Sequence, residues 1–186
     1  MEPYLQCIKC GKKYPLDKDR LSCDDHNGYY GYLEVKYDYV NIKEFPLDDK
    51  QGFEKYLPLL PTQKLILKMH EIRTPFFKIN DGLFPNGIIY AKDESKNSTG
   101  CFKDKESMIA INQALEFNYN NIYCVSSGNA ANSLSTFAKI NRINCTCFVP
   151  ENTLSNKKTL IQLHGGNLSI IGKNYEDCYR KVIDLD

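Results

Sequence analysis

Residues 121–150 read NIYCVSSGNAANSLSTFAKINRINCTCFVP and contain a strand, a helix and a second strand in succession. Apolar, strand-forming residues dominate 121–126 and 144–149, while Leu134 and Phe137 lie on one face of the helix predicted between them. Two strands joined by a helix of this length are expected to pair in parallel through a right-handed crossover. The stretch therefore predicts an α/β fold.

Further strand-like and helix-like runs continue this alternation along the chain. The predicted strands are 87–92, 121–126, 144–149 and 167–171, and the predicted helices are 63–70, 103–118, 129–141, 153–164 and 174–185. Four prolines interrupt residues 41–75, so we interpret that stretch as a connector. We expect an N-terminal segment (1–40), a connector leading into a larger domain (41–100) and part of a smaller α/β domain (101–186).

The charge and composition of the chain argue against several classes of protein. In 186 residues, 24 basic and 23 acidic side chains leave a formal net charge of +1. That balance argues against a polybasic nucleic-acid-binding tail, and no apolar run is long enough to span a membrane. The N-terminus lacks the pattern of a signal peptide. We therefore expect a cytoplasmic protein with no nucleic-acid and no membrane partner.

Four potential metal ligands are concentrated near the N-terminus. Their spacing is Cys7-x2-Cys10-x12-Cys23-x2-His26. Each pair could chelate a metal ion from one tight turn. Gly11 and Asn27-Gly28, which follow the two pairs, tolerate the positive φ that such a turn requires. Tetrahedral zinc takes four sulfur or nitrogen ligands of this kind. The spacing predicts a zinc-ribbon-like segment with a structural zinc ion; the alternative is three buried thiols beside a solvated histidine.

Two further observations concern this segment. Residues 32–38 alternate apolar and polar side chains, which predicts a strand that closes the ribbon. Residues 1–26 hold five basic and five acidic side chains, so a structural role is favoured over binding to a nucleic-acid backbone. The other five cysteines show no ligand spacing, and we assign them no chemistry.

The turn before the predicted helix 103–118 reads NSTGCFKD (97–104) and places a lysine at the start of the helix. Residues 98–100 are expected to cap that helix. A cation at a helix N-terminus opposes the macrodipole, which favours the neutral, nucleophilic amine of Lys103. The alternative is an ordinary solvated lysine.

The turn after the predicted strand 121–126 reads SSGNAA (126–131). Gly128 permits a close approach of the backbone to a ligand, and the Asn129 amide can donate to a ligand oxygen. The start of the following helix offers N–H groups to an anion. The alternative is an ordinary Ser/Asn cap. Ligands of open parallel sheets bind at the carboxyl ends of the strands, so we expect the two turns to form one site.

Together the two turns resemble those of the fold type II (β-family) pyridoxal-phosphate enzymes, and among these the chain is most similar to the threonine synthases. Further motifs that carry the resemblance are Thr74-Pro75, Lys92-Asp93-Glu94, Val149-Pro150 and a Cys-x2-Cys-Gly ribbon followed by Leu-Glu-Val-x-Tyr-Asp at 33–38. The resemblance covers nearly the whole chain. It implies a three-layer parallel-sheet fold, incomplete here, with an N-terminal zinc-ribbon-like segment.

The resemblance also implies roles for individual residues. Lys103 would bind pyridoxal 5'-phosphate covalently and move protons, and Asn129 would hydrogen-bond the oxygen on its pyridine ring. Ser127 and Gly128 would lie near the carboxylate of an amino-acid substrate. The implied enzyme is a lyase that converts O-phosphohomoserine and water into threonine and phosphate, and its full-length form is expected to be a homodimer.

Several positions depart from the usual pattern of that family. Ser98, Cys101, Lys105, Ile72-Arg73 and His26 stand where its members usually have Pro, Ser, Arg, Gly-Gly and Cys. A cysteate synthase, a threonine dehydratase and a catalytically silent binding module therefore stay open as alternatives. The family's phosphate-binding glycine loop would lie beyond residue 186, so we expect this chain to be roughly half of an enzyme and to hold the cofactor weakly by itself.

Overall fold

The computed structural model describes residues 3–17, 20, 22–26, 31–68, 73–79 and 87–184. The chain divides into two compact units, Met1–Ile66 and Leu67–Asp186. This division differs from the predicted boundaries at residues 40 and 100, and the assignment of those segments to a larger and a smaller domain stays a prediction. In the part of the chain that the structure describes, no helix is long and apolar enough to cross a membrane.

The N-terminal unit contains a three-stranded antiparallel sheet with the strand order β2-β1-β3. Its strands are β1 (Tyr4–Cys7), β2 (Lys13–Pro15) and β3 (Leu33–Lys36). The pairing of β3 with β1 confirms the strand predicted at 32–38. The small core beneath the sheet consists of Leu5, Cys7, Tyr14 and Cys23, with Leu16, Leu33 and Val35 packed against it.

In the described part of this unit, the remaining regular structure consists of two 3-10 helices, Tyr39–Asn41 and Gly52–Leu59. The helix predicted at 63–70 is wrong for its described part, 63–68. There the Thr62 hydroxyl donates to the Lys64 carbonyl (2.7 Å) and accepts from the Lys64 N–H (3.3 Å). This local turn competes with helical hydrogen bonding.

The second unit begins with an antiparallel pair, β4 (Phe76–Ile79) and β5 (Ile89–Lys92). The prediction that residues 87–92 join the parallel sheet is therefore wrong, and β4 is not predicted at all. The nine residues between the two strands are too few for a parallel crossover, which needs a dozen or more, whereas an antiparallel connection can be short.

The remaining strands form a parallel sheet with the order β6-β7-β8. They are β6 (Asn121–Val125), β7 (Asn144–Val149) and β8 (Asn167–Ile170), and the helices are α1 (Lys103–Glu116), α2 (Asn129–Ile140), α3 (Ser155–Leu163) and α4 (Tyr175–Ile183). Each element lies within about two residues of its predicted range. The predicted α/β fold with a parallel sheet is confirmed.

Helix α2 lies at the centre of this core and contacts α1, α3 and β7. Ala131 and Phe137 on its inner face are completely buried. Beneath it, the Cys147 Sγ lies 3.7 Å from the Cys124 Sγ and 3.9 Å from the Cys145 Sγ. Helix α2 packs on β7, and its first residue, Asn129, follows β6 after the three-residue turn 126–128.

Candidate functional site

The two turns singled out in the sequence lead into neighbouring helices. Lys103 is the first residue of α1, and Asn129 is the first residue of α2. Because β6 ends at Val125, the 126–128 turn lies at the carboxyl end of the parallel sheet, as predicted. The site is therefore formed by two helix N-termini.

A buried carboxylate holds the two helix starts together. Asp104 is completely buried and accepts hydrogen bonds from the Thr99 N–H (2.8 Å), the Thr99 hydroxyl and the Ser133 hydroxyl (2.7 Å). Asp104 directly follows Lys103, and Ser133 lies one helical turn after Asn129. Lys103 and Asn129 thus each lie within one turn of this hydrogen bond.

This hydrogen bond is not predicted by the sequence, and the preceding turn does not have the role expected of it. The residue before α1 is Phe102, and no side chain caps the helix, so the prediction that residues 98–100 cap it is wrong. The Thr99 side chain is instead directed to Asp104. An acid in the first turn of a helix is typical of exposed N-termini, so the sequence carries no signal that Asp104 is buried.

The Lys103 amine is paired with a carboxylate on its own helix. Its Nζ forms an ion pair with Glu106 and lies 5.5 Å from the centre of the Phe102 ring. The Lys103 side chain is 31% exposed. Among the described residues, the amine makes no hydrogen bond other than that with Glu106. The structure therefore presents an accessible primary amine that is held by a single partner.

The second turn leaves several polar groups without partners. The Asn129 side chain is exposed, and neither it nor the Ser127 side chain hydrogen-bonds to any residue that the structure describes. The Gly128 N–H donates to the Ser126 hydroxyl (3.3 Å). A Cβ added at Gly128 would meet no atom within 4 Å, and its φ of −122° is ordinary. Open space therefore lies in front of this turn.

Two buried acceptor oxygens close in sequence to these turns lack a described partner. They are the side-chain oxygens of Asn97, in the first turn, and of Asn132, at the start of α2. A buried acceptor without a hydrogen bond is uncommon and costs free energy. Among the described residues, no donor offsets this cost at either oxygen.

Glu94 connects the first turn to Thr74, which lies two residues before β4. Its carboxylate forms an ion pair with Lys105 and accepts from the Asn97 amide (2.8 Å) and the Thr74 hydroxyl (3.3 Å). Partial burial acts to raise the pKa of Glu94, but the Lys105 ammonium and the Asn97 amide outweigh it and hold that pKa below its usual range. Thr74 and Glu94, which belong to two of the motifs quoted above, thus stabilise the turn that precedes Lys103.

Glu94→Gln is expected to destabilise the protein at neutral pH and not in acid. Because the folded-state pKa is lowered, the carboxylate stabilises the fold above its unfolded pKa of about 4.3, and this contribution is lost as the pH falls through the folded value. At pH 7 we expect a loss of about 1 kcal/mol in the free energy of unfolding, measured with urea. At an acid pH below the folded-state pKa of Glu94, variant and parent should be equally stable; an equal difference at neutral and acid pH would contradict this role.

The four predicted metal ligands come together in the N-terminal unit. The ligand atoms of Cys7, Cys10, Cys23 and His26 all lie within 4.8 Å of one another. The His26 Nδ1 is 3.6 Å from the Cys23 Sγ and 3.9 Å from the Cys7 Sγ, and the Cys10 Sγ is 3.7 Å from the Cys23 Sγ. Four ligands around tetrahedral zinc, with bonds of about 2.0–2.3 Å, would be roughly 3.5–3.8 Å apart. The cluster therefore has dimensions suited to zinc.

Residues around the cluster orient these ligands. Gly11 has the predicted positive φ, +75°, whereas Asn27-Gly28 lie outside the described residues. The Tyr14 hydroxyl donates to the Cys23 Sγ (3.2 Å) and accepts from the Asp24 N–H (3.1 Å). The hydrogen bond from Tyr14 lowers the pKa of the Cys23 thiol to about 6, against the opposing effect of burial. The role of Tyr14 is not predicted by the sequence, because nothing in the spacing of the ligands indicates it.

Comparison with known proteins links the second unit to one family. The family described as "Pyridoxal-phosphate dependent enzyme" matches residues 67–186. The chain is 30% identical over 190 residues to the threonine synthase of Methanocaldococcus jannaschii, covering 97% of this chain and 46% of that protein. It is also 30% identical over 188 residues to the threonine synthase of Methanosarcina acetivorans, covering 98% and 46%. The chain thus spans about half the length of the curated relatives it matches.

A solved structure supports the same fold. A hydrogen sulfide-producing enzyme from Fusobacterium nucleatum matches with a TM-score of 0.53 and 22% identity, covering 65% of this chain and 40% of that chain. At this level of identity the likeness concerns the arrangement of helices and strands alone.

Proposed function

Since the chain belongs to the pyridoxal-phosphate dependent enzyme family, we propose that it carries the cofactor-attachment and substrate-carboxylate parts of an enzyme of the threonine synthase type. One structural observation carries this proposal. The hydrogen bond between Asp104 and Ser133 joins the two helices that begin with Lys103 and Asn129. The similarity to two threonine synthases over nearly the whole chain supports it further.

The residues of this site fit the reactive end of the cofactor. Lys103 offers an accessible primary amine for an aldehyde, and Asn129 offers an unpaired amide for a ring oxygen. The open space at Gly128, the residue before Asn129, leaves room for a ligand at the start of α2. We assign no described residue to the cofactor phosphate: Gly165 (φ +91°) and Gly166 follow the end of α3, and a Cβ at Gly166 would lie 2.3 Å from the Ser135 hydroxyl oxygen.

Each side chain would contribute a distinct function. When bound, pyridoxal phosphate supplies an electron sink for carbanion chemistry on the substrate. Lys103 would attach it covalently through Nζ and, once released by the substrate amine, would accept and return protons at the substrate carbons. The Asn129 amide would donate to the ring oxygen, and the N–H groups following Ser127 and Gly128 would bind the substrate carboxylate.

The proposed reaction converts O-phosphohomoserine and water into threonine and phosphate. The substrate is then a small amino acid, and we propose a homodimer for the complete enzyme. Ser98, Cys101 and Lys105 depart from the usual family residues within the Lys103 motif. A cysteate synthase and a threonine dehydratase therefore remain the alternatives within the family.

Product analysis distinguishes these reactions. We expect the complete enzyme, supplied with pyridoxal phosphate and O-phosphohomoserine, to release phosphate and threonine in equal amounts. Formation of 2-oxobutyrate from threonine would indicate a dehydratase, and cysteate from phosphoserine and sulfite would indicate a cysteate synthase. No product in any of the three assays would contradict an enzymatic role and favour a silent binding module.

For the N-terminal unit we propose a structural zinc site formed by Cys7, Cys10, Cys23 and His26. The observation that supports it is the mutual approach of the four ligand atoms to within 4.8 Å. Cys7 lies at the end of β1, and Cys23 and His26 lie in the segment that leads to β3. A metal ion would therefore link the end of β1 to the segment between β2 and β3. It would stabilise a unit whose described core is small.

A further inference from the structure

The ion pair between Lys103 and Glu106 leads to an inference that rests on the proposed function. We propose that Glu106 is a positioning residue that holds the Lys103 amine in a resting position on α1, from which the amine must be released before it attaches to the cofactor. This role follows from the contact itself, since Glu106 is the described residue that pairs with the amine.

The position of the pair on the helix explains why Lys103 needs such a partner. A cation in the first turn of a helix opposes the macrodipole. Glu106 lies three residues later on the same face, and at this spacing side chains of opposite charge can pair. The carboxylate compensates the lysine charge, and it also interacts favourably with the positive, N-terminal end of the helix dipole. The resting position of the amine is therefore stabilised locally, by α1 alone.

Other charged groups nearby are already engaged. The Asp104 carboxylate is buried and accepts hydrogen bonds from Thr99 and Ser133. Glu94 is paired with Lys105. Helix α2, which packs on α1, carries one charged side chain, Lys139 in its last turn. Removing Glu106 should therefore leave the Lys103 amine without a substitute partner among these carboxylates.

The pair is suited to release rather than to permanent restraint. The Glu106 side chain is 66% exposed and the Lys103 side chain 31% exposed. Exposed ion pairs contribute little net free energy and are weakened by salt. A ligand with an aldehyde beside the amine can thus displace Glu106 at small cost. The expected effect of removing the carboxylate is a several-fold change in amine reactivity, not its loss.

The test measures lysine reactivity in the whole chain. Protein is incubated with pyridoxal phosphate, fixed with borohydride at timed intervals and mapped by peptide mass spectrometry. The rate at Lys103 is expressed relative to the rate at exposed Lys96 in the same sample. We expect Glu106→Gln to raise this ratio about two- to fivefold, and Glu106→Asp to restore the parent ratio. Glu176→Gln, which removes another exposed ion pair, on α4, should leave it unchanged.

Salt provides a second readout that a purely structural role would not move. Raising the ionic strength should increase the Lys103 ratio in the parent and leave it constant in Glu106→Gln; the measurement on the parent does not depend on the folding of any variant. Equal ratios in parent and Glu106→Gln, together with no salt effect in the parent, would overturn the role of Glu106 while leaving the proposed function intact. Failure of Lys103 to be modified in any sample would instead overturn the proposed function itself.

Discussion

Cys23→Ser is expected to abolish stoichiometric zinc binding and to unfold the N-terminal unit. Cys23 is 2% exposed, and it and Cys7 are two of the four residues in the core of that unit. A three-stranded sheet with so small a core gains little from apolar burial. A structural zinc site contributes on the order of 10 kcal/mol, so its loss should dominate. Zinc content per chain by elemental analysis and limited proteolysis of residues 1–66 measure the two effects.

A cysteine of the second unit provides the matched control. Cys124 is half-buried and lies on β6, away from the four ligands in sequence. Cys124→Ser should retain one zinc per chain, and removal of zinc from the parent by a chelator should reproduce the proteolysis pattern of Cys23→Ser. Equal zinc content in the parent and Cys23→Ser would show that the cluster is not a zinc site.

Asn129→Ala is expected to weaken the binding of pyridoxal phosphate about tenfold or more. The proposed hydrogen bond joins the Asn129 amide to an ionised ring oxygen, and bonds to charged groups contribute roughly 1.5–3 kcal/mol, equivalent to about 10- to 100-fold in Kd. Because the Asn129 side chain is exposed and makes no hydrogen bond within the described chain, its removal should cost little stability. Titration of the cofactor absorbance gives Kd, and urea denaturation gives the stability.

Asn156→Ala provides the control for this prediction. Asn156 lies in the first turn of α3, after the neighbouring strand β7, and its side-chain oxygen accepts from the Lys157 N–H (2.9 Å). It therefore occupies a comparable helix start without a proposed ligand contact, and the Kd should stay at the parent value. A Kd for Asn129→Ala equal to that of the parent would remove Asn129 from the cofactor site.

The regular elements of the second unit could be predicted because their signals are local. The apolar runs that became β6, β7 and β8, and the helical spacing between them, determine a parallel α/β arrangement without further information. The antiparallel pairing of β5 could not be predicted, because it depends on β4, whose residues Phe76–Ile79 are mostly exposed and lack alternation. At 63–68 the sequence has a helical pattern, but the Thr62 hydroxyl forms two hydrogen bonds with the Lys64 backbone that replace helical ones.

In the candidate site, too, the features with local sequence signals could be predicted and the long-range contact could not. The positions of Lys103 and Asn129 follow from turn and helix signals within a few residues of each, and the ligand spacing near the N-terminus predicted the cysteine and histidine cluster. The contact between Asp104 and Ser133 spans 29 residues and joins two helices. No local pattern encodes such a contact, because it exists only once α1 packs on α2.

Mapping of the borohydride-fixed cofactor tests most directly the claim that Lys103 is the attachment residue. The protein is incubated with pyridoxal phosphate, reduced and digested, and each modified peptide is quantified. We predict that most of the fixed cofactor is on Lys103 and that Lys103→Ala lowers total incorporation to the background of exposed lysines, whereas Lys96→Ala does not. Modification spread over the exposed lysines in both parent and Lys103→Ala, with equal total incorporation, would contradict the claim.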